Sequence, residues 1–223
     1  MDRIPEPELM DEPEQARAYA EADFEEPNRL FVELFTSCFP DWAGQGVILD
    51  LGCGPGDIVF KLARAFPNCR VDGLDGSAAM LSLARAALVD SGLEDRVRFV
   101  QGTLPGTRLP EPRYQAITSN SLLHHLHRPE VLWEAIRAVG EAGCPVLVMD
   151  LMRPKSETLA RDIVETYAPD EAPILKADFY NSLLAAFEPA EIRQQLERAG
   201  LRRMRIDQVS DRHLAVWGRI PGG

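Results

Sequence analysis

From about Gly46 onward, short apolar runs alternate with stretches whose apolar residues recur at helical spacing. Val47–Leu51 is an apolar run ending in glycines, which predicts a buried strand. Asp57 is expected to cap a helix through Phe66, with Ile58, Leu62, Ala65 and Phe66 on one face. Arg70–Asp75 reads as a second strand. Ser77 then caps a helix carrying Met80, Leu81, Ala84 and Leu88, which Gly92 would stop. Val97 and Phe99 alternate in a third strand, and Tyr114–Ser119 makes a fourth. Pro129 suits the first position of a helix that turns Leu132, Ala135, Ile136 and Val139 inward and ends at Gly140. Pro145–Asp150 is the fifth and most hydrophobic strand. A helix over Pro189–Ala199 precedes two last strands, about Arg202–Val209 and His213–Arg219. Their link, Ser210–Arg212, is short enough for a hairpin, so the final strand should run antiparallel.

This alternation predicts an α/β domain on a largely parallel sheet. Two segments fall outside it. Residues 1–40 read as an N-terminal helical lid on a domain spanning residues 41–223. Within that domain, residues 151–188 are longer than a plain crossover needs and form a lid insert. Both could fold over the C-terminal ends of the strands, where open α/β sheets bind ligands.

Composition changes this picture little. A chain of 223 residues with 45% hydrophobic residues can bury a core without disulfides. Cys38, Cys53, Cys69 and Cys144 are scattered, so zinc-type CxxC pairs are absent and a reducing, cytoplasmic setting is expected. No apolar stretch is long enough to span a bilayer, and the N-terminus does not read as a signal peptide. Net charge is −11, and residues 1–26 alone hold ten acids against two arginines, leaving the rest near neutral. That balance argues against a nucleic-acid partner, because phosphate contacts need a basic surface.

Chemistry concentrates after the first strand. Gly52, Gly54 and Gly56 sit where the backbone must turn sharply and approach a ligand without a Cβ in the way. The GxGxG spacing differs from the GxGxxG dinucleotide fingerprint. Asp57 at the helix start competes with a diphosphate for the positive helix end, so a zwitterionic amino acid group is the better tenant. Asp75 closes the second strand, 25 residues after Asp50, where a carboxylate can accept ribose hydroxyls.

Asp50-Leu51-Gly52-Cys53-Gly54-Pro55-Gly56 resembles the first motif of class I S-adenosylmethionine (SAM)-dependent methyltransferases, and Gly73-Leu74-Asp75-Gly76-Ser77 their second. Ser119-Asn120-Ser121-Leu122-Leu123-His124-His125-Leu126 is similar to the fourth-strand segment of the small-molecule, ubiquinone-biosynthesis type. The resemblance covers residues 45–150 and, weakly, 189–219. It implies a Rossmann-like seven-stranded sheet, mostly parallel with an antiparallel last strand and helices on both faces. It also implies SAM as cofactor, S-adenosylhomocysteine (SAH) as product and a small-molecule methyl acceptor. By the same resemblance, Gly52, Cys53 and Gly54 take the methionine moiety, with Asp50 ordering the loop. Asp75 holds the ribose, and Gly76 and Met80 border the adenine. Asn120 and Ser121 lie near the transferring methyl. Thr103 stands where the family commonly has an acid, so Thr103, Gly102 and Leu104 are expected to complete the adenine pocket. Gln115 replaces an aspartate that often opens the fourth strand.

If the acceptor arrives protonated, a base is needed, and His125 is the preferred candidate over His124 and His127. A metal on these three histidines is not expected, because neighbours on one loop rarely converge and no acid or cysteine joins them. Tyr19, Arg153 and Tyr180 are the substrate-binding candidates, within lids that also carry Asp23, Phe24, Asp178, Phe179 and Phe187. Two other readings compete: an NAD-dependent oxidoreductase, disfavoured by the loop spacing, and a SAM-binding domain without turnover. Acceptor atom and oligomeric state are not legible in the chain.

Overall fold

The computed structural model describes residues 1–222. Seven strands form one sheet: β1 Gly46–Leu51, β2 Cys69–Asp75, β3 Val97–Gln101, β4 Ala116–Asn120, β5 Pro145–Leu151, β6 Arg205–Gln208 and β7 His213–Arg219. Their order is β3-β2-β1-β4-β5-β7-β6. The first five run parallel, and β7 inserts antiparallel between β5 and β6. The chain reverses its winding between β1 and β4, so a crevice opens beyond their carboxyl ends.

Side-chain alternation along β1 assigns the two faces. Val47, Leu49 and Leu51 join the core that includes Leu132, Trp133 and Ile136 of α5 (Glu130–Val139) and Ile192 and Leu196 of α8 (Pro189–Arg198). Ile48 points to the other face, with Val59 and Leu62 of α3 (Asp57–Ala65), Leu81 of α4 (Ala78–Leu88), and Phe31 and Phe35 of α2 (Glu25–Cys38). Phe31 and Phe35 are fully buried, each contributing roughly 1.5–3 kcal/mol of apolar burial. They make α2 part of the helical layer.

The remaining helices are α1 (Pro13–Glu21), α6 (Glu157–Tyr167) and α7 (Pro173–Ala185). The last two form the 151–188 insert and have a small core of their own, in which Ala160, Ile163 and Val164 meet Leu183 and Leu184. Residues 1–12 are an irregular strap laid against it. Ile4 N–H donates to the Leu184 carbonyl at 3.0 Å, and the Arg3 guanidinium lies over the Phe187 ring.

Local differences from the expected elements have local causes. Asp57 is the first helical residue, and the cap position belongs to Gly56, whose φ of +96° a side chain would strain. Ser77 does cap α4, accepting the Met80 N–H at 3.1 Å. Tyr114 forms only an isolated bridge to Gly140, because its hydroxyl is drawn to Asp72 at 3.0 Å. The β4 ladder therefore begins at Ala116. Pro129 caps α5 from outside, and β6 starts three residues later than the sequence pattern suggests.

Candidate active site

A cavity of about 750 Å³ lies over the carboxyl ends of β1, β2, β4 and β5. Its floor is the glycine loop after β1. Gly52 and Gly54 both have positive φ, +73° and +52°, but their surroundings differ. A Cβ on Gly52 would meet Leu122 at 2.8 Å, whereas one on Gly54 would meet nothing within 4 Å. Gly54 thus leaves open space for a bound group, and Gly52 lets two segments of protein pack. Cys53 turns its buried sulfur toward Gly73.

Asp75 stands beside the loop. Its Oδ2 accepts the Gly54 N–H at 2.8 Å and its Oδ1 the Ser77 N–H at 2.8 Å. Burial pushes this carboxyl above its ordinary range, and those backbone donors only partly offset it. Asp50 is buried and accepts the Thr118 hydroxyl at 2.8 Å. Burial raises its pKa to about 7.

Beyond Asp75, Gly76, Met80, Gly102, Thr103 and Leu104 line one end of the cavity, so the structure gathers all of the expected adenine-side residues. The Thr103 carbonyl is engaged by the Thr107 hydroxyl at 2.7 Å. Leu9 of the strap covers this end, close enough to touch a Cβ placed on Gly76. Met10 and Asp11 follow, the Ser77 hydroxyl donating to the Met10 carbonyl at 2.8 Å. Asn120 and Ser121 line the middle. The Asn120 Oδ1 is buried without a donor, and Ser121 adopts φ +54°, a left-handed backbone that few side chains take.

The residues present fit SAM. Gly54 provides an open cradle beside an acidic hydroxyl-binding position, Asp75. The orphaned Asn120 oxygen can take a hydrogen bond from an ammonium.

At the other end the histidines sort themselves. Leu123–His125 is a 3-10 turn. His124 is buried, and its Nδ1 meets Asp150 Oδ1 at 2.5 Å. Burial disfavours the imidazolium, but the Asp150 charge and hydrogen bond outweigh it and raise the His124 pKa; the same pairing holds Asp150 low despite its burial. His125 is different. Burial and the neighbouring His124 charge depress its pKa to about 3, so it is neutral and weakly basic. Its Nδ1 faces the strap, 3.3 Å from the Pro7 carbonyl and 3.3 Å from Glu6 Oε1. His127 also contacts the strap, accepting no role in the cavity wall: its N–H donates to Glu8 at 2.8 Å.

Of the substrate-binding candidates, Tyr19 lines the cavity and stacks on Phe24 at 4.7 Å. Burial, with Asp57, Asp75 and Asp150 nearby, pushes its phenol up to about 12. Arg153 does not reach the cavity. It is buried under the insert, donating to the Ala186 carbonyl and to Glu191, each at 3.0 Å, because the chain turns away after β5. Tyr180 also points elsewhere, its hydroxyl donating to Glu157 at 3.3 Å on the outer side of α6. Asp178 and Phe179, the two residues before it, face inward in its place, Asp178 held by the Gln15 amide at 2.9 Å.

Four further wall residues had no signal in the sequence. Leu9 and Met10 come from an irregular acidic segment. Arg212 and His213 come from the β6–β7 hairpin, brought in because β7 runs antiparallel beside β5 and pairs His213 with Leu151. The Arg212 guanidinium lies 3.3 Å from the centre of the Tyr167 ring and pairs with Asp211 at 3.1 Å.

Comparison with known proteins agrees with this geometry. Residues 48–143 match the family described as methyltransferase domain. The ubiquinone/menaquinone biosynthesis C-methyltransferase UbiE of Pseudomonas paraeruginosa is 26% identical over 179 residues, covering 79% of this chain and 68% of that protein. The N,N-dimethyltransferase OxyT of Streptomyces rimosus is 26% identical over 179 residues, 79% of this chain and 48% of its own length. Among the curated relatives matched, this chain spans between 21% and 68% of their length. The plantazolicin methyltransferase BpumL, solved with SAH, superposes with a TM-score of 0.73 at 17% identity, covering 95% of this chain and 91% of its own. A SAM-dependent methyltransferase from Aquifex aeolicus gives 0.65 at 17% identity, covering 94% and 98%. Residues 48–143 thus match a methyltransferase domain, and the sheet that carries them has the fold of solved SAM-dependent methyltransferases.

Proposed function

We propose that this protein transfers the methyl group of SAM to a small-molecule acceptor held between the glycine loop and the insert. The observation that carries the reading is one continuous cavity with two chemically distinct ends. One end has Gly54, Asp75, Gly76 and Met80; the other has His124, Phe179 and Arg212. UbiE is named for ubiquinone and menaquinone biosynthesis and BpumL for plantazolicin, which supports a small acceptor.

In this reading Gly52, Cys53 and Gly54 hold the amino acid part of the cofactor, Asp75 its ribose, and Gly76, Met80, Gly102, Thr103 and Leu104 its base. SAM supplies an electrophilic methyl group. The protein's contribution is to align a nucleophile with that carbon, and orientation alone can account for roughly 7–11 kcal/mol of a barrier. An acceptor that arrives protonated must also lose its proton. His124 takes that role rather than His125. Asp150 engages Nδ1, fixing the ring and leaving Nε2 as the atom that can accept a proton. Tyr19, Phe179 and Arg212 would then contact the acceptor, while Arg153 and Tyr180 hold the insert together. The lid comprises residues 1–24 and 151–188; residues 25–40 belong to the helical layer. No helix among the described residues is long and apolar enough to cross a membrane.

The test is direct. Chain incubated with labelled SAM and a small-metabolite pool should yield labelled small molecules, and SAH should raise its melting temperature. Stabilisation by NAD with indifference to SAM and SAH would sink the reading.

A further inference from the structure

His124 and His125 sit in a donor cluster that methyl transfer by itself does not require. No acid lies near them in sequence, yet the strap brings one. Glu6 Oε1 is 3.5 Å from His124 Nε2 and 3.3 Å from His125 Nδ1. All three donor atoms lie within 4.8 Å of one another. Zinc–ligand bonds of about 2.0–2.1 Å at tetrahedral angles separate neighbouring donors by roughly 3.3–3.4 Å, close to the spacing found here.

Three features make this more than a chance meeting of side chains. Glu6 and His124 are largely withdrawn from bulk water, with side chains 10% and 3% exposed. Asp150 backs His124 through Nδ1, the outer carboxylate that commonly orients a metal-binding histidine. With Nδ1–H donated to Asp150, Nε2 faces the Glu6 carboxylate, a place for one cation between them, either a proton or a metal ion. Arg3 holds the strap independently of the cluster, donating to the His124 carbonyl at 2.6 Å, and the Ser182 hydroxyl orients Glu6 by donating to it at 3.0 Å.

We infer that Glu6, His124 and His125 form a three-donor site for a divalent transition metal such as zinc, joining the N-terminal strap to the 3-10 turn at the cavity wall. Two imidazoles and one carboxylate suit a borderline ion, and a fourth position is left for water. Occupancy has a consequence for the proposed function, beyond which this inference goes. The metal takes the same Nε2 that would accept the acceptor's proton, and it holds the strap over the cavity. The loaded protein therefore has its base blocked and its strap tied more firmly to the cavity wall, and removal of the metal frees Nε2.

Binding is read without SAM or acceptor, so it stands or falls apart from the methyl-transfer reading. The full chain, stripped with a chelator, is titrated with Zn²⁺ by calorimetry and with Co²⁺ by visible absorption. The expected result is one ion per chain, a cobalt spectrum of tetrahedral intensity without thiolate charge transfer, and at least tenfold weaker binding in Glu6→Gln and in His125→Asn. Circular dichroism and cooperative thermal melting establish that both variants are folded. No uptake by the unmodified chain would overturn the site, leaving a proton as the cation between Glu6 and His124. Uptake of equal affinity in both variants, or a thiolate-type spectrum, would also overturn it by placing the ion at a cysteine.

Discussion

The Asp75 carboxylate accepts the Gly54 backbone N–H at 2.8 Å, tying the end of β2 to the turn after β1. The residue proposed to bind ribose therefore also sets the shape of the loop proposed to bind the amino acid part. Replacing Asp75 with Ala removes a charged hydrogen-bond acceptor, worth about 1.5–3 kcal/mol, from both tasks. SAH affinity measured by calorimetry should fall at least tenfold. Unchanged affinity would reject the ribose assignment.

Gly52 and Gly54 should separate folding from binding. Alanine at Gly54 incurs a left-handed backbone cost of about 1–2 kcal/mol and projects a methyl into the open cradle, so SAH binding should weaken beyond the modest drop in stability. Alanine at Gly52 adds a collision with Leu122 to the same backbone cost, so its main effect should be on the melting temperature. Equal binding losses at equal stability would contradict the cradle.

Asp50 carries a pH prediction. Its folded-state pKa of about 7 lies above the ordinary value of 3.8, so the folded chain retains a proton that the unfolded chain releases. Stability is then greatest below pH 4 for this group and declines as pH rises toward 7, by up to about 4 kcal/mol. Asp50→Asn keeps an acceptor for Thr118 but removes the titration. Denaturant midpoints between pH 5 and 8 should fall less steeply in the variant, and parallel slopes would exclude Asp50 as the cause.

Arg153 should matter for stability and little for turnover. Its fork joins β5 to Ala186 and Glu191, so Arg153→Met should lower stability by about 2 kcal/mol while leaving the acceptor KM nearly unchanged. A large KM rise in a folded variant would restore the acceptor-binding role expected from the sequence. His124→Gln should do the opposite, lowering methyl transfer to a protonated acceptor by roughly 10²–10⁴-fold with SAH binding intact.

The strand–helix alternation, the glycine loop and Asp75 were legible in the chain because they are local. Burial pattern follows a strand's period of two or a helix's period of 3.6, and Gly54 is needed where a sharp turn meets a ligand. Asp50, Asn120 and Met80 reach the cavity wall for the same reason, since each closes or follows a recognisable element. Sequence spacing could not rank His124 against His125. They are adjacent, and only the 3-10 turn decides that one ring is backed by Asp150 while the other meets the strap. Arg153 and Tyr180 lie outside the cavity wall because an insert between β5 and α8 packs on its own small core, and that packing decides which faces point inward. Glu6, Leu9 and Arg212 lie far from the motifs in sequence and carry no periodic signal. Long-range hydrogen bonds of the strap and the antiparallel pairing of β7 with β5 bring them to the site. The chain alone thus determined the glycine cradle proposed for the methyl donor, which is built from consecutive residues. Tertiary packing determined the end proposed for the acceptor, where every wall comes from a different part of the molecule.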